Sequence, residues 1–229
     1  MNTRQGILRF LLYAVGVALV TSLVVWSAEH SPDGLSLARQ VPGSQLTTTE
    51  FSLLELLQHL LLLFCALIFG WIAFRDRLRR PLAIAFASIF LICLIRELDF
   101  FLDRYLIDNL WQAIAALLTV FSGVYLFRHR RRVEAGWHRS WPSAGLAIVI
   151  AGLTLLVIFT QLLSRQTVWE PTLGEDYVRA AVLAFEELSE LGAYLVITLG
   201  SLEFLFTWSR LPETRRLDRP RRMRRRSPR

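Results

Sequence analysis

Lysine is absent from the 229 residues, and every one of the 26 Lys/Arg positions is arginine. Such a bias is expected of a GC-rich bacterial genome. Cysteine is scarce: Cys65 and Cys93 both sit inside apolar runs. Thiols so placed exclude a disulfide-rich secreted domain and a redox role, because buried free cysteine behaves as a small hydrophobe. Charge is also low, at 20% against 54% hydrophobic residues and a mean hydropathy of +0.42. A soluble domain of this length carries more charge and fewer apolar residues, so a cytosolic globule and a disordered chain are both excluded. Neither H-E-x-x-H nor H-x-x-x-H occurs. Three of the four histidines (His30, His129 and His138) fall in expected loops, so no haem is expected.

What is present is a series of long apolar blocks. The fold class they predict is all-α: a polytopic transmembrane bundle of six spans within residues 1–209, followed by a basic disordered tail over 210–229. The expected spans cover about residues 7–26, 51–74, 81–98, 110–127, 142–163 and 178–208. The first has a basic start, Arg4 and Arg9, but its apolar run exceeds the 7–15 residues of a signal-peptide core. It reads as an uncleaved anchor.

The arginines set the orientation. Twenty-one of them lie in the N-terminal segment, between spans two and three, between spans four and five, or after span six. With an even number of spans all of these fall on one side, so both termini are expected to be cytoplasmic. Fourteen of the nineteen acids lie on the other side or in the outer halves of spans. Acids contribute little to topology, and an acidic outer face attracts cations.

Ionisable residues inside spans are costly and each is a functional candidate. Glu55 and His59 are four apart in span two, on one helix face. Ser52, Leu62, Ala66, Gly70 and Ala73 continue that face as a polar and small stripe, the kind that packs on neighbouring helices. Span three ends in Arg96-Glu97-Leu98-Asp99. Span six holds Glu186, Glu187, Ser189 and Glu190, with a small-residue stripe continuing through Ala193 and Gly200. Measured from the cytoplasmic ends at ~1.5 Å per residue, His59, Glu97 and Glu190 lie roughly 24–27 Å up, in one layer near the outer edge of a ~30 Å core.

Three readings of this layer stay open. As a metal site, His59, Glu55, Glu97 and Glu190 would supply one imidazole and several carboxylates to a divalent ion. A metal-dependent membrane hydrolase would add a bound water. As a proton or cation site, Glu55, His59, Arg96, Glu97, Asp99, Glu186, Glu187 and Glu190 would titrate together. As a structural network in a scaffold or complex subunit, Arg96 would neutralise one or two acids and hold spans two, three and six together. The expected partners are the bilayer itself and either a protein partner or a second copy. Anionic inner-leaflet lipids should meet the tail through Arg221, Arg222, Arg224, Arg225 and Arg226. No nucleic acid is expected, since no stacking surface accompanies the arginines.

Overall fold

The computed structural model describes residues 3–30, 53–99, 102, 106, 109–141, 143–160, 165, 168–169 and 179–208. Among these residues all regular structure is helical and no strand occurs. The elements are α1 (Thr3–His30), α2 (Leu53–Arg75), α3 (Arg80–Glu97), α4 (Leu110–Arg128), α5 (Arg130–Ser140), α6 (Ala144–Thr154) and α7 (Arg179–Trp208). The chain continues from α6 into a π-helical turn, Leu155–Thr160.

Among the described residues, four helices are long and apolar enough to cross a membrane: α1, α2, α4 and the part of α7 from Ala184 onward. A pair bent by 109°, α5 with the helix that follows it, would make a fifth. The expected six therefore become four or five on length and composition. The physical reason lies in the short segments. α3 has only 18 residues and includes Arg80, Arg96 and Glu97. α6 has only 11 residues before the π-turn.

Contacts fix how the helices run. α2 and α3 form a hairpin, with Phe69 against Phe86 and Phe90 at ring distances of 5.0 and 5.6 Å. Its turn is closed by Asp76, whose Oδ1 accepts from the backbone N–H groups of Leu78 (2.8 Å) and Arg79 (3.2 Å). Pro81 in the first turn of α3 then suits the helix start. α7 lies parallel to α2: Gln58 meets Glu187, Cys65 meets Thr198, and Phe69 stacks on Phe204 at 5.7 Å. These aromatic rings form a buried core with Leu62, Ile72, Leu146, Tyr194 and Ile197.

α6 runs antiparallel to α7 at a distance only glycine permits. A Cβ on Gly200 would stand 2.6 Å from the Val149 backbone nitrogen, and one on Gly152 would stand 2.6 Å from Ile197 Cγ1. A Cβ on Gly145 would collide with the backbone at Phe204. Such small-residue seams replace the hydrophobic drive that lipid removes. The stripe expected on α2 behaves differently: Leu62, Ala66 and Ala73 are buried, but Gly70 faces open space. The large residues Phe69 and Ile72 share the buried face, so α2 packs by ring volume rather than by close backbone approach.

The periphery is thin. α4 buries none of its residues and is tied to α3 by the Ser122–Ser88 hydroxyl bond at 2.8 Å. Near its C-terminal end α1 rests on α2 and α7 through Val24, Leu54 and Leu191. α5 was read from sequence as a loop. Among the described residues it is an amphipathic helix whose Gly136 seats on the Leu78 carbonyl oxygen, 3.5 Å from a Cβ placed there.

Candidate functional site

The antiparallel and parallel registers place the ends of α2, α3 and α7 in two layers. At one end the hairpin turn of α2 and α3 meets the C-terminal end of α7. At the other, the first two turns of α2, the last turn of α3 and the middle of α7 converge. The second layer holds most of the acids singled out in the sequence.

Arg96 organises it. A single nitrogen, Nη2, reaches Glu97 Oε1 at 3.1 Å and Glu190 Oε1 at 3.2 Å. Tyr194, one turn beyond Glu190, donates its hydroxyl to the same Glu97 oxygen at 2.7 Å. His59 lies 3.0 Å from the Glu97 backbone carbonyl, so its Nε2–H is the donor. Gln58 Nε2 donates to both the carbonyl and Oε2 of Glu187, each at 3.2 Å. The arginine side chain is 43% exposed while Glu97 and Glu190 are at 15% and 6%, so the guanidinium covers two enclosed carboxylates and opens outward itself.

Of the residues expected here, His59, Arg96, Glu97 and Glu190 are joined by these contacts. Glu187 is bonded to Gln58, the neighbour of His59 on α2, rather than to Arg96. Glu55 is half-buried in the first turn of α2, Glu186 is half-buried on α7, and Asp99 is half-buried just beyond α3. The metal set is not assembled. Among the described residues no three His, Cys, Asp or Glu side chains group as ligands. The reason is that Glu97 and Glu190 turn to Arg96, and the His59 ring turns to a backbone oxygen. The tail arginines Arg221, Arg222, Arg224, Arg225 and Arg226 lie outside the described residues.

Two residues of the layer escaped the sequence reading. Gln58 and Tyr194 are neutral, so a search for buried charge passes over them. Their signal is positional: Gln58 adjoins His59, and Tyr194 follows Glu190 by one helical turn.

The opposite layer is paired acid by acid. Glu203, 4% exposed, takes Arg9 Nη1 at 3.1 Å and the Tyr13 hydroxyl at 3.1 Å, clamping α1 to α7. Asp76 Oδ2 receives Arg79 Nη1 at 2.6 Å and the Trp208 indole N–H at 3.0 Å. Burial pushes the Asp76 carboxyl upward, but the hydrogen bonds from Trp208, the Arg79 and Leu78 backbone and the Arg79 side chain outweigh it. The net effect holds the carboxyl below the ordinary aspartate value.

No family model, curated protein or solved structure matches this chain.

Proposed function

We propose that this is a six-span protein of a bacterial inner membrane with both termini cytoplasmic, and that its acidic layer handles protons or small cations from the outer side. The arginine distribution supports the orientation. So does the register, which brings Arg9, the α2–α3 turn and the end of α7 to one end of the bundle. In this arrangement α3 and α6 complete six spans although each is short, and the tail arginines meet anionic headgroups.

The observation that carries the proton or cation reading is a shortage of positive charge. One guanidinium nitrogen serves both Glu97 and Glu190, and Glu187 leans on the neutral Gln58. Carboxylates crowded in a low-dielectric site do not all stay ionised without a compensating cation. A proton or small cation arriving from the exposed side of Arg96 would supply it. A divalent metal, and with it a metal-dependent hydrolase, lacks a ligand group among the described residues.

A second reading has its own support. Arg96, Tyr194 and His59 together tie α2, α3 and α7, which is what a scaffold or complex subunit requires of a structural network. The two separate in liposomes. Proton uptake after a pH step is measured for the wild type, Glu190→Gln and Glu187→Gln. Loss of uptake with little change in melting supports proton handling. Unchanged uptake with a lowered melting temperature makes the network structural.

A further inference from the structure

Arg79 is buried, with its side chain 5% exposed, and only part of its guanidinium is used. Nη1 holds Asp76, while Nε and Nη2 are buried and meet no hydrogen-bond acceptor among the described residues. These two nitrogens form one edge of the guanidinium plane, the fork that binds two oxygens of a single phosphate or carboxylate. A further buried group without a partner is the Ser140 hydroxyl of α5. Gly136, one turn before Ser140, seats against the Arg79 Cα, so α5 packs on the hairpin turn one helical turn from the Ser140 hydroxyl. Buried donors left unsatisfied are costly, and more so when charged. Native structures hold few of them, and an ion or ligand that completes them is one explanation.

We propose that the Nε–Nη2 fork of Arg79, with the Ser140 hydroxyl, is a binding site for a phosphate group. Its setting is strongly basic: Arg75, Arg77 and Arg80 flank the turn, and Arg130, Arg132 and Arg139 lie on α5. Asp76 already occupies one nitrogen and orients the fork. α5 buries only Gly136 and Ser140, so it is the element that shifts to admit the ligand. Given the cytoplasmic orientation proposed above, the source closest at hand is the headgroup phosphate of an inner-leaflet phospholipid. A free phosphate presents the same oxygens.

The test is the melting temperature of the full chain in neutral detergent after adding phosphatidylglycerol, phosphatidylcholine or inorganic phosphate. Wild type is compared with Arg79→Lys, Ser140→Ala and the exposed-arginine control Arg131→Gln. A rise with phosphatidylglycerol is expected in wild type and Arg131→Gln, with most of it lost in Arg79→Lys and part of it lost in Ser140→Ala. An equal rise with inorganic phosphate supports the site and makes the ligand a soluble anion; a rise with lipid alone makes it a headgroup. No rise in wild type, or the full rise in either Arg79→Lys or Ser140→Ala, overturns the proposal. If Arg79→Lys does not fold, Ser140→Ala decides. Binding in detergent does not depend on membrane orientation, so a wrong orientation would leave these outcomes unchanged.

Discussion

The two ends of the bundle use the same residue types to opposite effect. At the basic end Glu203 and Asp76 each have their own cation: Glu203 has Arg9, and Asp76 has Arg79, with Tyr13 and Trp208 adding neutral hydrogen bonds. At the acidic end Arg96 is divided between Glu97 and Glu190, and a third acid, Glu187, takes a glutamine. A closed pair fastens helices. Under the proposed function, a layer short of cations accepts a proton or ion that arrives. On that reading intramembrane charge by itself does not mark a site, and the ratio of acids to cations within one layer is the better guide.

That contrast can be broken at its strongest point first. Arg9→Ala leaves Glu203 enclosed with only Tyr13. Breaking a buried pair costs on the order of 3–5 kcal/mol, which unfolding in mixed micelles should show, with Glu203→Gln milder because the Tyr13 contact persists. Next is the seam that both ends share. Gly200→Leu drives a side chain into the Val149 backbone and should cost about 2–3 kcal/mol, lowering the melting temperature whatever the pH. A Gly70→Leu control, in open space, should leave it nearly unchanged.

Arg96→Gln sharpens the comparison. The half-exposed position limits the loss at neutral pH to about 1 kcal/mol. That loss should shrink in acid if the layer takes up protons as proposed, because a protonated carboxyl no longer requires a cation. A deficit independent of pH would place both acids in the same class as Glu203. A further effect, read against pH, belongs to Asp76. Its carboxyl is depressed in the folded state, so its stabilisation is complete above the ordinary aspartate value of about 4. It is lost as pH falls through the lower folded value. Asp76→Asn should flatten that acid limb of the melting-temperature profile, and it should also lower the neutral plateau, because the buried Arg79 loses its anionic partner.

Much of the helical layout was legible in the sequence, since apolar blocks of span length need only counting. The shared layer of His59, Glu97 and Glu190 was legible too: helical rise converts residue number into depth, and the contacts join these three through Arg96, Tyr194 and the Glu97 carbonyl. Depth says nothing of where a side chain turns, so it does not foresee Glu97 and Glu190 turning to Arg96. His59 spends its ring on a backbone oxygen, which no spacing rule foresees. α5 was missed because an arginine-dense stretch between two apolar blocks satisfies the pattern of a loop as well as that of a surface helix. The seam was half-seen: Gly200 was marked as a small position on span six, but nothing in the sequence made its partner Val149 on α6.

The sequence by itself determined that the chain is built of apolar helices, that most of its arginines and acids fall in separate stretches, and which charged residues stand at like distances along their helices. Those properties are local, set by composition and by the fixed rise of a helix. Only the tertiary structure decided which charges meet. Arg96 bridges two acids, and Arg79 keeps a buried fork open, because three-dimensional adjacency depends on which helix faces pack together. In this bundle that packing is governed by glycine seams and stacked rings.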